Sequence, residues 1–156
     1  MRKLILIALI GFSLVSCEEE VSSNNPAFEA TIGYTFWRAE QFSAEVTNNT
    51  LTVYASDLTE QVKITIPNYE LGKTYDLGEN NIYKVEYSNI DDEEVTTTYS
   101  TGTGIGGGYV RLESADFSEP NKITGTFMAE VKSAGGASKT LHNGTFYRIP
   151  INQVAE

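Results

Sequence analysis

From residue 27 onward, short runs of alternating apolar and polar residues recur along the chain, and turn-forming residues separate them. This period of two places successive side chains on opposite faces of a β-strand. No run of ten or more residues has the 3.6-residue period of an amphipathic helix. The pattern predicts strands at Phe28–Trp37 (one strand, or a tight hairpin turning at Gly33), Gln41–Thr47, Leu51–Ala55, Val62–Ile66, Lys73–Leu77, Ile82–Tyr87, Val95–Ser100, Gly107–Glu113, Lys122–Lys132 and Ser138–Ile149.

The number and spacing of these strands predict an all-β fold with no substantial helix. About nine or ten short strands at spacings of roughly 8–12 residues are typical of an antiparallel β-sandwich or a meander barrel. Short connections favour hairpin order between consecutive strands. In the last strand, Asn143-Gly144 fits either a tight turn or a β-bulge, and we favour the bulge.

The first 16 residues have the three parts of a secretory signal peptide. Met1-Arg2-Lys3 carries positive charge, Leu4–Val15 is apolar, and the small residue Ser16 precedes the cleavage point. The apolar run is shorter than the about 20 residues of a transmembrane helix. Leu14-Val15-Ser16-Cys17 resembles the bacterial lipobox, which implies a diacylglyceryl thioether on Cys17 and an acyl chain on its new amino group. The alternative is an ordinary signal peptide with a chance cysteine.

The lipobox cysteine is also the only cysteine of the chain. The mature protein is therefore expected to lack disulfides, cysteine metal ligands and a cysteine nucleophile. Several acyl chains on one residue form a stable membrane anchor.

The acidic residues Glu18, Glu19 and Glu20 then have two interpretations. They are a solvated tether, or they resemble the export signal of surface lipoproteins of Bacteroidetes, which predicts an outer-membrane protein exposed on the cell surface. A periplasm-facing anchor is the alternative.

The chain is expected to comprise a signal peptide (residues 1–16), an acidic flexible tether (17–26), one β-domain (27–151) and a short tail (152–156). Cleavage before Cys17 removes Arg2 and Lys3 and changes the formal charge from −10 to −12. This charge repels phosphate backbones and anionic lipid headgroups, so nucleic acid is not expected as a partner. Cations, neutral glycans and basic proteins remain compatible.

Four segments of the β-domain resemble a family of small Bacteroidetes lipoproteins, often flavobacterial. The segments are Phe28–Ile32, Gly72–Leu77, Ile123–Phe127 and Asn143–Phe146. The resemblance covers nearly all of the mature domain. It implies a single β-domain with no established function, and it supplies no catalytic residues that could be transferred to this chain.

A glycine-rich stretch, Gly102–Gly107, matches the GxGxxG pattern of dinucleotide-binding proteins. That fingerprint requires a helix after the glycines, so that the pyrophosphate meets the helix N-terminus. A predicted strand follows here instead. The stretch is therefore interpreted as a loop between strands that tolerates the close approach of a ligand or partner.

Two further motifs carry reactive or metal-binding side chains. Asp91–Glu94 offers four carboxylates to a cation, but the EF-hand spacing is absent and a solvated loop tip is favoured. His142 is the only histidine, and no nucleophile-elbow pattern accompanies it, so it is expected at an exposed turn or edge. Acidic residues are plentiful, yet no spacing singles out a catalytic pair. We predict no catalytic residue, no metal site, no cofactor and no enzymatic activity.

The richest aromatic stretch contains Tyr34, Phe36, Trp37 and Phe42. Such residues usually belong to the core of a β-domain. If Trp37 is exposed beside tyrosines, it forms a stacking platform for sugar rings. Trp37, Tyr34 and Tyr109 are therefore the candidate ligand-binding residues. Further candidate tyrosines are Tyr83, Tyr87 and Tyr99.

The leading functional hypothesis is a membrane-anchored, non-catalytic binding module for a glycan or an envelope protein. Two alternatives remain: a structural envelope protein without a small ligand, and a lipocalin-like carrier. A glycan-binding domain is expected to expose at least two aromatic rings on one face. A carrier is expected to enclose an apolar cavity of about 300 Å³ or more.

Overall fold

Eleven β-strands form the fold, and no helix occurs among the residues that the structure describes. The structure is a computed structural model that describes residues 27–80, 82–91, 94–115, 118 and 120–153. The all-β prediction is confirmed. The strands are β1 (Ala27–Ile32), β2 (Thr35–Arg38), β3 (Gln41–Thr47), β4 (Thr50–Ser56), β5 (Glu60–Pro67), β6 (Thr74–Leu77), β7 (Lys84–Asp91), β8 (Glu94–Ser100), β9 (Gly107–Leu112), β10 (Lys122–Ser133) and β11 (Ser138–Gln153).

All the strands belong to one hydrogen-bonded sheet, and the long β10–β11 hairpin is its centre. The hairpin lies at the middle of a six-stranded portion with the order β2-β1-β11-β10-β9-β6. The remaining strands form a five-stranded portion with the order β3-β4-β5-β7-β8. The end of β11 pairs with β3 and the end of β10 pairs with β8, so the bonding runs round a ring. This arrangement is roughly consistent with the predicted sandwich or barrel.

The sheet is mixed rather than purely antiparallel, because β11 and β3 run parallel. The 16-residue strand β11 pairs with β1 as far as Tyr147 and then continues beside β3, where Ile151 pairs with Ala44. At the change of direction Arg148 has a φ of 52°, a left-handed conformation that is uncommon for a residue other than glycine. A prediction that pairs consecutive strands as hairpins cannot anticipate this parallel pairing, since β11 is distant from β3 in sequence.

The structure decides two local alternatives that the sequence leaves open, and at Asn143-Gly144 it confirms the favoured bulge. The first predicted strand is a hairpin of β1 and β2 that turns at Gly33, where φ is 62°. Asn143-Gly144 lies in a β-bulge, because the pairing between β10 and β11 shifts there and Asn143 has a φ of 51°. At the β3–β4 turn, Asn48 and Asn49 both have positive φ, as a two-residue type I′ hairpin requires.

A shared apolar core fills the space between the two portions of the sheet. Phe28, Phe127 and Phe146 of the six-stranded portion pack with ring centroids 5.4 to 6.5 Å apart. Two glycines make room for these rings: a Cβ on Gly125 or Gly144 would lie 2.4 Å from an aromatic carbon. The five-stranded portion contributes fully buried side chains to the same core. They include Leu51, Val53, Val62, Ile64, Ile66, Val85 and Tyr87.

Candidate functional site

The tryptophan that the sequence suggests as a stacking platform lies in the core. Trp37 is 5 % exposed, and its ring meets the ring of Phe28 edge-on at 5.9 Å. Its Nε1–H donates a hydrogen bond of 2.7 Å to Oδ2 of Asp57 in the β4–β5 turn. The buried end of β2 is thus tied to the five-stranded portion, and the Trp37 ring has no free face for a ligand.

Asp57 organises the turn that receives this hydrogen bond. Its Oδ1 accepts the backbone N–H groups of Thr59 and Glu60, both at 2.7 Å. Burial raises the pKa of the Asp57 carboxyl, but the hydrogen bonds from these two amides and from Trp37 outweigh burial and hold the pKa below its ordinary value. The carboxylate is therefore a structural acceptor at this turn.

The two candidate tyrosines lie on the surface but far apart in the sheet. Tyr34 is fully exposed at the tip of the β1–β2 hairpin. Tyr109 is 38 % exposed on β9, where it pairs with Met128 of β10 and Asp76 of β6. The structure therefore does not bring Tyr34, Trp37 and Tyr109 together as one platform.

Tyr109 instead belongs to a row of side chains on the solvent-facing side of the six-stranded portion, which we call the front face. Burial alternates along the middle of β10, so that Met128 (40 % exposed) points outward, and on β2 Phe36 (65 % exposed) precedes the buried Trp37 and points to the opposite side. Strand register pairs Phe36 with Thr31, Thr31 with His142 and Met128 with Tyr109, and Met128 lies opposite the bulge that contains His142. Because an aromatic ring lies at each end, we call this row the aromatic row. In strand order from β2 to β9, it consists of Phe36, Thr31, His142, Met128 and Tyr109.

A second row on the front face lies two residues away along β2, β1, β10 and β9, and three residues away along β11, where the bulge adds one residue. Every neighbouring pair in it is a registered pair of the sheet, from β2 across to β6. All its members carry charged or hydroxyl side chains and are exposed or half-buried. This polar row consists of Arg38, Glu29, Thr145, Thr126, Arg111 and Thr74.

The two rows together form a narrow strip across the strands. Neighbouring strands are about 4.8 Å apart, so the aromatic row extends about 19 Å from Phe36 to Tyr109. A separation of two residues along a strand is about 7 Å, which is the distance between the rows. The strip can therefore present ring faces along one side and hydrogen-bonding groups along the other.

His142, the only histidine, is held within the strip by backbone and side-chain neighbours. Its Nε2 lies 2.9 Å from the carbonyl oxygen of Gly33, to which it donates. Its Nδ1 lies 3.3 Å from Nδ2 of Asn143, which donates to it. These contacts connect the tip of the β1–β2 hairpin to the bulge of β11, so the half-buried ring has a positional role at this face.

A partly buried polar network lies at one end of the core, near the β4–β5 turn. The hydroxyl of Tyr87 donates to Oε1 of Glu60 at 2.6 Å and accepts a hydrogen bond from Nζ of Lys139 at 3.0 Å. The Lys139 ammonium lies 4.6 Å from the Tyr87 ring centroid and 5.7 Å from that of Tyr99. Burial, followed by the hydrogen bond to Glu60, raises the pKa of Tyr87. The network holds three strands together.

Backbone packing accounts for the glycine-rich loop. A Cβ on Gly106 would lie 2.0 Å from the carbonyl oxygen of Glu130, and one on Gly78 would lie 2.6 Å from the carbonyl oxygen of Gly106. The N–H of Gly104 donates to the carbonyl of Gly78 at 2.8 Å. The loop is followed by β9, as the sequence predicts, and its glycines allow backbones to approach each other closely.

The described residues offer no metal centre, since no group of three or more histidine, aspartate or glutamate residues lies together among them. Asp92 and Glu93 of the acidic loop lie outside the described residues, as do Cys17 and Glu18 to Glu20. In the described part of the chain there is also no helix long and apolar enough to span a bilayer.

A cleft of about 690 Å³ lies at the surface of the described part of the chain. It is lined by residues of the segment after β9 and of the adjoining ends of β10 and β11, among them Glu113, Thr124 and Arg148. The interior itself is occupied by the side chains of the core. The cleft therefore offers room for a ligand on the outside of the fold.

These features define an all-β domain with a filled core and a solvent-facing sheet. The chain belongs to the family described as domain of unknown function DUF6252, whose model matches residues 24–150. No curated protein and no solved structure matches the chain significantly.

Proposed function

We propose that this protein is a non-catalytic binding domain of a bacterial envelope and that it binds its partner, a glycan or an envelope protein, through the front face. The observation that carries the proposal is the pair of parallel rows on one solvent-facing surface. Exposed large apolar side chains that are rimmed by polar groups are typical of interaction sites. The filled core supports external binding over the alternative of a lipocalin-like carrier.

The proposed setting is a lipid-anchored protein of the outer membrane, similar to the lipoproteins of Bacteroidetes. Lipids on Cys17 anchor the chain, residues 17–26 form the tether, and Glu18 to Glu20 direct the domain to the cell surface. The test is the variant Cys17→Ala, which is expected to release the protein from the membrane fraction. If the variant stays in that fraction after a high-salt wash, the proposed anchor is wrong.

Binding through the front face is tested by cosedimentation with envelope fragments of cells that lack the protein. The double variant Phe36→Thr/Tyr109→Thr removes both outer rings and keeps residues that favour β-strands. A matched control is Tyr54→Thr, which removes a tyrosine from the outer side of the five-stranded portion. We expect the wild type and the control to cosediment equally and the double variant to lose at least tenfold in affinity.

Exposed substitutions of this kind change stability by about 0.5 kcal/mol or less, so all three proteins should melt at similar temperatures. Equal cosedimentation of the double variant and the wild type would show that the front face is not the binding surface.

A further inference from the structure

We propose that the partner of the front face is a neutral polysaccharide that lies across the strands along the two rows. The inference rests on the proposed function, because it requires the front face to be the binding surface. It is carried by three properties of the strip: its shape, the chemistry of its side chains and its charge.

The strip has the shape of an extended chain. It is one residue wide in each row and about five strands long, which is about 19 Å. Its large apolar side chains are Phe36 and Tyr109 at the ends and Met128 next to Tyr109. Together they expose about 300 Å², from side chains of about 200 Å² each that are 38 to 65 % exposed. A stable protein interface buries about 800 Å² per partner around a compact apolar centre. The exposed apolar side chains of the strip are few and lie mainly at its two ends, and this distribution favours a narrow polymer over a protein as the partner.

The side chains of the strip match the groups of a sugar chain. The ring faces of Phe36 and Tyr109 can pack against the C–H faces of pyranose rings. Between them, the hydroxyls of Thr31, Thr126 and Thr145 can donate or accept hydrogen bonds, as sugar hydroxyls do. The guanidinium of Arg111 on β9 adds planar donors that can span two adjacent hydroxyls.

Charge favours an uncharged polymer. The mature chain, with 9 basic and 21 acidic residues, has a formal charge of −12, which disfavours anionic polysaccharides over its whole surface. The aromatic row ends beside the exposed Asp76 of β6, which pairs with Tyr109. In the polar row Glu29 pairs across strands with Arg38, and Arg111 adds a second positive charge, so two carboxylates and two guanidiniums balance over the strip. The strip thus offers rings at its ends and hydroxyls between them without a net charge, which favours an uncharged polymer over a cationic one.

The test is native affinity electrophoresis of the purified full-length chain in detergent, in gels that contain a soluble polysaccharide. The acidic chain migrates toward the anode without added charge, and binding to the immobile polymer retards it. The neutral probes are dextran, mixed-linkage β-glucan, xyloglucan and galactomannan. Alginate is the anionic probe and chitosan the cationic probe.

We expect retardation of the wild type in at least one neutral gel and none in alginate. Phe36→Ala and Tyr109→Ala should each weaken that retardation about tenfold, whereas Tyr109→Phe, which keeps the ring, should retain it. The control Tyr54→Ala should migrate as the wild type does. Retention of binding by Tyr109→Phe separates loss of the ring face from loss of the fold.

The inference is overturned if no neutral gel retards the chain, if only chitosan does, or if both alanine variants are retarded as strongly as the wild type. Cosedimentation with envelope fragments then distinguishes two cases. If cosedimentation still depends on Phe36 and Tyr109, the front face is the binding surface and its partner is a protein. If it does not, the proposed function fails as well.

Discussion

The hydrogen bond between Trp37 and Asp57 connects the two portions of the sheet, and its removal has a calculable effect. Trp37→Phe keeps a six-membered aromatic ring against Phe28 and deletes only the five-membered ring of the indole with its Nε1–H donor. Asp57 keeps the hydrogen bonds from the amides of Thr59 and Glu60, so the turn itself is expected to persist.

The expected loss of stability for Trp37→Phe has two parts. A hydrogen bond to a charged group contributes about 1.5–3 kcal/mol to folding. The phenylalanine side chain is smaller than the indole and leaves about 40 Å³ of the core unfilled, which costs about 1 kcal/mol at about 24 cal/mol per Å³. The free energy of unfolding should therefore fall by about 2.5–4 kcal/mol at pH 7. For a domain of this size the melting temperature should fall by roughly 10–15 °C.

The dependence on pH follows from the lowered pKa of Asp57. Because its pKa in the folded state lies below the ordinary value of 3.8, the carboxylate contributes stability above that pH and loses it as the pH falls through the folded-state pKa. The difference between the wild type and Trp37→Phe should thus be constant from pH 5 to 7. It should narrow below about pH 4, when protonation weakens the bond in the wild type.

The measurement is urea unfolding of a double-mutant cycle of Trp37→Phe and Asp57→Asn, followed by circular dichroism at pH 7. An asparagine at position 57 can still accept from the turn, but its amide meets the indole N–H donor to donor. We expect the two substitutions to be non-additive by about 1–2 kcal/mol. Strict additivity at pH 7, or a gap between the wild type and Trp37→Phe that does not narrow in acid, would refute the reasoning.

Three further predictions concern backbone and network positions. Gly106→Ala should destabilise by about 3 kcal/mol or more in urea unfolding, because its Cβ would meet the carbonyl of Glu130, whereas Gly104→Ala, with similar φ and open space, should lose only about 1 kcal/mol. Tyr87→Phe should lower the free energy of unfolding by about 1–3 kcal/mol at pH 7. Because the pKa of Tyr87 is raised in the folded state, the wild type loses stability above about pH 10 and its advantage over Tyr87→Phe should shrink there. A constant difference would contradict the raised pKa. Asn49→Gly should stabilise the β3–β4 hairpin by up to about 1 kcal/mol, because φ is positive there; destabilisation would contradict this.

Alternation along the sequence was sufficient to predict most strands. Segments such as Gln41–Thr47 and Val62–Ile66 have a strict period of two, because one side faces the core and the other faces water. The short hairpin turns are equally local, since Gly33 and Asn48-Asn49 supply the positive φ that those turns need. What alternation could not supply was the partner of each strand. The parallel pairing of β11 with β3 depends on contacts between distant residues.

The candidate site was predicted less well, for a reason that is visible in β2. Alternation shows that Phe36 and Trp37 point to opposite sides, but the sequence alone does not show which side is the core. The register Ala30–Trp37 decides this, because Ala30 is buried on the same side. Phe36 and Met128 were therefore not recognised as surface residues. The sequence offers one clue only: Thr35 and Trp37 lie on the side of the strand opposite to Phe36, so burial of Trp37 implies exposure of Phe36.

A comparison of the two outer sides of the fold explains why binding is assigned to the front face. On the five-stranded portion, Tyr54, Lys63 and Glu86 lie in one registered row. Lys63 lies 3.8 Å from the Glu86 carboxylate and 5.5 Å from the Tyr54 ring centroid, so these side chains already satisfy one another. On the front face, the rings of Phe36 and Tyr109 are separated by three strands and cannot pack together. A chain laid between them can contact both, and this is the role that the fold leaves to a partner.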